Sequence, residues 1–191
     1  MKLSILICSH ITRKPLMDRM VHHLDSQWRP GVEILTTTNK DYTKRGKTRN
    51  KLLDAADGQY CCFVDDDDVV SDDYVAKILA AIDKKPDICG IMGQVIQLRY
   101  PPVTRDFQLS IQYPQIFSLP IKGTERDLPV IRRFASHLCP IRTKIAQSIR
   151  FPEDNKHEDN GYSDRLKFCG SLNETIIDGT IYYYFYRANL L

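Results

Sequence analysis

The sequence lacks several features that would assign it to a specialised class of protein. Its N-terminal apolar run covers only residues 3–8, before polar Ser9 and His10, and is too short for a signal peptide or a membrane-spanning helix. It has six cysteines but no C-x-x-C pair, so neither a zinc site nor a disulfide framework is indicated. We therefore expect free thiols and a cytoplasmic location.

The sequence also lacks a strong net charge, repeats, low-complexity tracts and linkers. Its formal charge is +3, which predicts only a weak attraction to anionic ligands. Because no basic stripe is interleaved with aromatic residues, nucleic acid is not expected as a partner. A content of 42% hydrophobic and 27% charged residues is typical of an ordinary globular chain, and we predict a single domain over residues 1–191.

The first hundred residues alternate between apolar runs and amphipathic stretches. Helical stripes separate the runs, and Ser71 is expected to be the N-cap of the third helix. This order predicts the α/β class, with a mostly parallel, Rossmann-like sheet covered by helices on both faces. The apolar runs that predict buried strands are residues 3–8, 32–37, 60–64 and 88–97.

Regular patterns weaken in the second half of the chain. Prolines interrupt every helical pattern between residues 100 and 134, which predicts a long irregular segment with short antiparallel strands, serving as a lid or binding loop. Regular structure is expected to resume at residue 141, with a helix over 159–169. A final β-hairpin is expected to turn at Asp178-Gly179.

Polar residues follow three of the predicted strands. Ser9 and His10 follow the first strand, Thr38 follows the second, and the four aspartates at 65–68 follow the third. Ligands of open α/β sheets bind beyond the carboxyl ends of the strands, so these residues are expected to converge on one site.

The aspartate run is the most informative of these groups. Like charges about 4 Å apart repel by about 4 kcal/mol at an effective dielectric constant near 20, so the run requires a cation, raised pKa values or full solvation. Hard carboxylate oxygens favour Mg²⁺ or Mn²⁺, which commonly bridge substrate phosphates. A solvated acidic turn is the alternative, whereas the spacing of an EF-hand calcium loop is absent.

Residues 45–75, RGKTRNKLLDAADGQYCCFVDDDDVVSDDYV, resemble the core of the inverting family 2 glycosyltransferases, which have the GT-A fold. The resemblance rests on Arg49-Asn50 at a helix start, an Ala-x-Gly helix end, an apolar strand and an Asp-x-Asp motif. Residues 157–166 are similar to the family's Glu-Asp motif. The resemblance implies metal-dependent, inverting transfer of a sugar from a nucleotide-sugar, UDP-linked by default, to an acceptor hydroxyl. It also implies a nucleotide-sugar-binding half at 1–98 and an acceptor-binding half at 99–191.

The resemblance assigns roles to individual aspartates. Asp65 and Asp67 would hold Mn²⁺ or Mg²⁺ beside the donor diphosphate, where the ion offsets the charge on the departing nucleotide. Asp66 and Asp68 would be a spacer and a turn or helix-start residue.

The resemblance also assigns catalytic and donor-binding roles. Asp159 would be the general base, and the neighbouring Glu158 would raise its pKa or contact the acceptor. The donor-binding residues that it implies are Ser9, His10, Thr38, Arg49, Asp65, Asp66 and Arg187.

The sequence departs from the family at two positions. An aspartate that commonly follows the second strand is replaced by Thr38, which leaves the identity of the base open. A histidine that commonly follows the last aromatic strand is absent, and His137 and His157 are the candidate substitutes.

Alternative interpretations stay open at this point. Glu158 and Asp159 suit a charged helix N-terminus, and Arg49 suits a surface cation. A nucleotidyltransferase of the same fold is disfavoured because SHITRK, after the first strand, lacks glycine. A non-catalytic metal-binding interaction module is the third alternative. The acceptor is unknown and could be a glycan, a lipid-linked molecule met peripherally at a membrane, or a protein.

Overall fold

The structure, a computed structural model, describes residues 1–41, 44–97, 103–114, 130–153 and 157–186. Within these residues the chain forms a nine-stranded sheet and five α-helices. The strands are β1 (Leu3–His10), β2 (Val32–Asn39), β3 (Tyr60–Phe63), β4 (Val69–Val70), β5 (Ile88–Gln97), β6 (Val103–Leu109), β7 (Val130–Arg133), β8 (Ile141–Arg142) and β9 (Glu174–Tyr186). The helices are α1 (Lys14–Asp25), α2 (Arg45–Ala55), α3 (Tyr74–Ile82), α4 (Thr143–Ile149) and α5 (Glu158–Lys167).

The N-terminal part of the sheet has the predicted parallel arrangement. β1 lies between β2 and β3 and pairs with both in parallel. Leu3, Ile5, Leu6 and Ile7 of β1 are fully buried, as expected for a strand covered on both faces. Since the three strands point the same way, the polar residues that follow them meet at one edge of the sheet.

The whole sheet has the strand order β2-β1-β3-β8-β5-β6-β7, and β9 pairs with β5 and β4. Most paired residues lie in parallel pairings, which join β1 to β2 and β3, β5 to β9, and β6 to β7. Antiparallel pairing joins β5 to β6 and β8, β3 to β8, and β4 to β9. The predicted α/β class with a mostly parallel central sheet is confirmed.

The start of α3 differs from the prediction. The helix begins at Tyr74, and its N-cap is Asp73 rather than Ser71. The chain is still extended at Val70, which pairs with β9 in β4, so a turn is needed before the helix begins. The Ser71 hydroxyl donates to Oδ1 of Asp73 instead of capping the helix.

The predicted C-terminal β-hairpin is wrong. Glu174–Tyr186 form one strand, β9, which runs parallel to β5 and carries register shifts opposite residues 90–93. Gly179 has φ +76°, the left-handed conformation that glycine adopts at little cost. Asp178-Gly179 therefore marks an irregularity within a strand, because pairing with β5 continues on both sides of it.

The second half of the chain agrees with the prediction in part. β6 is an antiparallel strand inside the segment predicted to be irregular, whereas residues 98–102 and 115–129 lie outside the described residues. α5 covers most of the predicted helix at 159–169, and its Tyr162 and Leu166 are buried. In the part of the chain that the structure describes, no helix is both long and apolar enough to cross a bilayer.

Candidate active site

A cavity of about 620 Å³ opens where the strands of the sheet end. Apolar lining comes from Val95 of β5, from Phe107 and Leu109 of β6, and from Phe134 and Leu138. The side chains that give the cavity its charge and polarity come from both halves of the chain: Ser9, His10, Arg13, Asn39, Arg49, Asp65, Asp66, Asp67, His137, Glu158 and Asp159. The sequence-predicted site residues of the two halves therefore meet in one cavity, with the exceptions given below.

Asp65, directly after Val64, faces the side chains of Arg49 and His137. Its Oδ1 accepts a hydrogen bond from Arg49 Nη2 at 2.9 Å, and its Oδ2 lies 3.7 Å from Nε2 of His137. Burial alone would raise the pKa of Asp65, but Arg49 and His137 bring it well below its usual value. Asp65 is therefore a carboxylate in the cavity.

Asp66 is bound inside the protein. Ser9 Oγ donates to its Oδ2 at 2.5 Å, Arg13 Nε donates to the same oxygen at 3.1 Å, and Arg13 Nη2 donates to its Oδ1. Burial raises the pKa of Asp66 even though Ser9 and Arg13 oppose the shift. Both oxygens are thus occupied by the chain's own donors, which leaves Asp66 poorly placed to bind a ligand.

Asp67 is more accessible than Asp66. Its side chain is 31% exposed, and its Oδ1 lies 2.8 Å from Nη2 of Arg13. Asp65 and Asp67 are consequently the two members of the run whose carboxylates are available to the cavity.

Asp68 points away from the cavity and is not an exposed turn residue. The Tyr182 hydroxyl donates to its Oδ2 at 2.7 Å, and the Phe185 N–H donates to its Oδ1 at 3.0 Å. Burial, followed by the negative charge of Asp65, raises the pKa of Asp68 to about 8. Arginine pairing at Asp65, Asp66 and Asp67 and the raised pKa of Asp68 therefore reduce the repulsion among the four aspartates.

Arg49 is buried, so the interpretation as a surface cation is wrong. Its guanidinium carbon lies 5.1 Å from the ring centroid of Phe63 and 5.5 Å from that of Phe151. Burial alone would lower the pKa of Arg49, but Asp65 and Glu158 raise it above its ordinary value. Arg49 is therefore the shared counter-ion of Asp65, which follows β3, and Glu158, which begins α5.

Glu158 and Asp159 begin α5 and lie in different environments. Glu158 is buried, with its Oε1 3.6 Å from Nε of both Arg45 and Arg49. Asp159 is half-buried and lines the cavity. The pair is therefore more than a charged helix end, since Glu158 is held by two arginines of α2.

Close backbone packing holds α5 against α2. A Cβ atom at Gly46 would collide with the carbonyl oxygen of Pro152, and one at Gly161 would collide with the proline ring. Asn50 exchanges two hydrogen bonds with the backbone of Phe151, at 3.0 and 2.9 Å. The Arg49-Asn50 pair thus has two functions, because one side chain binds the cavity carboxylates and the other fixes the chain that leads into α5.

The end of β2 differs from the prediction. Asn39, not Thr38, lines the cavity, because β2 extends to Asn39 and successive side chains of a strand face opposite sides. His10 lines the cavity, and its Nδ1 accepts the backbone N–H of Thr12 at 3.3 Å. Arg187 lies outside the described residues.

Comparison with protein families decides the affiliation of the chain. The model of Glycosyl transferase family 2 matches residues 11–150. The chain belongs to this family. The match includes the aspartate run and Arg49 and ends before Glu158 and Asp159. A search of curated proteins finds no significant match.

Solved structures place the family 2 chain in the GT-A fold. S. aureus TarS 1–349 in complex with UDP-GlcNAc matches with a TM-score of 0.70 and 19% identity over 99% of this chain and 60% of that one. The UDP complex of TarS 1–349 matches with a TM-score of 0.67 and 18% identity over 97% of this chain and 61% of that one. The chain thus spans about 60% of these TarS structures.

Unmet hydrogen-bonding groups lie beside Asp65 in this family 2 site. Nη1 of Arg49 and both ring nitrogens of His137 are buried and have no hydrogen-bond partner among the described residues. Buried polar groups are normally paired, so these atoms are candidates for ligand contacts. His137, one of the two candidate substitutes for the family histidine, is therefore beside the aspartate run, and His157 also lines the cavity.

Arg13 is the site residue that the sequence reasoning missed. It ends the short 3-10 turn Ile11–Arg13 after β1. Its signal was an arginine three residues after His10 at the end of the first strand, a position that brings it to the carboxyl edge of the sheet. Arg133 and Tyr184, which also line the cavity, carried no such signal, because their strands β7 and β9 were not correctly predicted.

Proposed function

We propose that this chain transfers a sugar from a UDP-sugar to an acceptor hydroxyl, with inversion at the anomeric carbon. Family 2 membership favours glycosyl transfer over nucleotidyl transfer. TarS, which shares the fold, forms complexes with UDP-GlcNAc and UDP. The observation that carries the proposal is the meeting of Asp65, Asp67, Arg49 and Asp159 in one cavity at the strand ends.

The residues present fit a divalent cation bound together with a diphosphate. No group of three histidine, cysteine, aspartate or glutamate side chains that could hold an ion occurs among the described residues. Asp65 and Asp67 supply two accessible carboxylates, and Mg²⁺ is usually held by one or two carboxylates together with substrate phosphates and water. We assign Mn²⁺ or Mg²⁺ to Asp65 and Asp67, where it would act as a Lewis acid toward the departing diphosphate.

The chain's own cations and polar groups bind the rest of the donor. Arg49 and His137 offer unpaired N–H or ring nitrogen atoms toward the diphosphate. His10 and Asn39 border the nucleobase, and Ser9 supports that edge through its hydrogen bond to Asp66.

Asp159 acts as the general base. The acceptor oxygen attacks the anomeric carbon while the bond from that carbon to the diphosphate oxygen breaks, and the hydroxyl proton passes to the Asp159 carboxylate. Glu158 positions this end of α5 through Arg45 and Arg49. The product is the glycosylated acceptor, and UDP leaves with the electron pair of the broken bond.

The cysteines favour a reducing compartment for this reaction. All six are free thiols, and Cys61, Cys62, Cys89 and Cys139 are buried. Unpaired buried cysteines are typical of proteins in the cytoplasm, where we place the reaction. The acceptor is a glycan, a lipid-linked molecule or a protein.

Donor binding and donor hydrolysis test the proposal without knowledge of the acceptor. Calorimetric titration with UDP and a panel of UDP-sugars should show affinity that rises with Mn²⁺ and falls with a chelator. Asp67→Ala should remove that dependence on Mn²⁺. Asp159→Asn should keep donor affinity while slowing hydrolysis about 100-fold or more.

The matched control is Asp164→Asn, which makes the same chemical change five residues further along α5, at a position that does not line the cavity. It should keep both affinity and turnover. Failure of every UDP-sugar to bind, or full hydrolysis by Asp159→Asn, would contradict the proposal.

A further inference from the structure

Arg13 is fixed in the site by Asp66. Its Nε and Nη2 atoms form a fork onto the two oxygens of Asp66, whose second donor is Ser9. The Asp66 side chain is only 4% exposed, so this arginine is held by a buried carboxylate and not by a mobile surface pair.

The same guanidinium also reaches Asp67. Nη2 of Arg13 lies 2.8 Å from Oδ1 of Asp67, which is one of the two carboxylates assigned above to the divalent cation. A guanidinium and a divalent cation repel each other, so each weakens the attraction of the other to a shared carboxylate oxygen. Asp67 therefore has an internal counter-ion in Arg13.

We propose that Arg13 competes with the divalent cation for Asp67, so that the cation binds weakly until a diphosphate is present. The inference rests on the proposed function, because it concerns the cation assigned to Asp65 and Asp67. A diphosphate supplies oxygens for the cation and acceptors for a guanidinium at the same time, since planar arginine forks suit phosphate geometry. Binding of cation and nucleotide is then coupled through Arg13.

A charge-neutral double variant isolates this competition. Arg13→Gln together with Asp66→Asn removes one positive and one negative charge, so the net charge beside Asp67 is unchanged, and no buried carboxylate is left unpaired. The matched control is Lys14→Gln together with Asp18→Asn, which removes a neighbouring ion pair of α1 with a separation of 2.6 Å. Neither Lys14 nor Asp18 lines the cavity.

The measurement is titration with Mn²⁺ in the absence of nucleotide, followed by electron paramagnetic resonance of the free ion. The Arg13→Gln/Asp66→Asn variant should bind Mn²⁺ about tenfold more tightly than the wild type, and the control variant should match the wild type. Unchanged or weaker binding by the site variant would overturn the proposal.

A second measurement uses the wild-type chain and does not depend on the folding of the double variant. The side-chain Nε–H resonance of Arg13, assigned by its loss in Arg13→Lys, should shift as Mg²⁺ is added. A resonance that stays in place while Mg²⁺ saturates the protein would also overturn the competition.

Titration with Mn²⁺ in the presence of UDP separates this inference from the proposed function. Suppose that the wild type binds Mn²⁺ in the presence of UDP, but that in the absence of UDP the double variant has the same affinity for Mn²⁺ as the wild type. In that case only the role of Arg13 is wrong. If the wild type binds no Mn²⁺ even with UDP, the assignment of the cation to Asp65 and Asp67 is wrong too.

Discussion

The Tyr182 hydroxyl donates a hydrogen bond to Oδ2 of Asp68 at 2.7 Å. The oxygen of the Tyr182 hydroxyl in turn accepts a hydrogen bond from the backbone N–H of Asp65 at 3.1 Å. One side chain of β9 thus binds both ends of the aspartate run at 65–68. Asp65 is turned toward the cavity, and Asp68 is turned toward β9. This division explains why the pKa values of two chemically identical residues move in opposite directions.

Replacement of Asp68 by asparagine should flatten the pH dependence of stability. The pKa of Asp68 is about 8 in the folded protein, whereas in the unfolded protein it has the ordinary carboxyl value. Between these two values the folded state keeps a proton that the unfolded state has released. The free energy of unfolding of the wild type should therefore fall as pH rises from about 4 toward 8, by about 1 kcal/mol per pH unit from this group. Asparagine, which resembles the protonated acid, removes that contribution.

Urea denaturation between pH 5 and 8 checks this expectation. Because the pKa of Asp66 is also raised, any slope that it adds has the same sign and is common to both proteins, and Asp65, whose pKa is lowered, acts only below this range. Exposed Asp72 provides the control, since Asp72→Asn should keep the wild-type slope. Parallel slopes for Asp68→Asn and the wild type would show that Asp68 is ionised in the folded protein.

Replacement of Arg49 by alanine should destabilise the fold by about 3 kcal/mol, because removal of one partner leaves buried charges unpaired. Arg49 is the partner of both Asp65 and Glu158, and Glu158 is almost fully buried. Arg49→Lys should recover little of the loss, since an ammonium lacks the fork that reaches two carboxylates. Chemical denaturation gives the free energies of unfolding.

Lys47→Ala and Lys51→Ala are the controls for Arg49, because both lysines are exposed on the same helix. Each should change stability by no more than about 0.5 kcal/mol. A small effect of Arg49→Ala, similar to that of the lysine variants, would refute the counter-ion role.

Replacement of Gly46 by alanine should disturb the junction between α2 and α5. The added methyl group would collide with the backbone of Pro152, which cannot move aside as a flexible side chain can. We expect a loss of about 1–3 kcal/mol, as for other overpacked sites, together with slower donor turnover because Glu158 and Asp159 follow this junction. Thermal unfolding and donor hydrolysis are the measurements.

The control for Gly46→Ala is an alanine substitution at an exposed position of the same helix. Lys47→Ala adds the same residue type to the next position of α2, where the side chain is exposed. If Gly46→Ala kept the stability and the turnover of the wild type, α2 and α5 could separate without consequence and the expectation would be wrong.

The parallel core of the fold could be predicted because its signals are local. The runs at β1, β2, β3 and β5 are largely apolar, and each strand was found close to its predicted bounds. The convergence of strand-end residues followed from parallel geometry alone. The error at Asp178-Gly179 has the opposite origin, since a local turn signal was overridden by pairing of β9 with the whole length of β5.

The environments of the four aspartates could be predicted only in part. The resemblance to family 2 singled out Asp65 and Asp67 as the cation ligands, and these are the two carboxylates that the structure leaves available to the cavity. The partners of the other two are distant in the sequence and carry no local signal. Asp66 is bound by Arg13, 53 residues earlier, whereas Asp68 is bound by Tyr182, 114 residues later.

The fit of Pro152 between Gly46 and Gly161 separates the spacing of two helices from the shape of the cavity. Pro152 is enclosed by a glycine of α2 and a glycine of α5, and these two helices carry Arg49 and Asp159. The apolar side chains Phe107, Leu109 and Phe134 line the cavity but take no part in this contact. We therefore expect substitutions at these three positions to change which molecules the cavity admits while the spacing of α2 and α5 is retained.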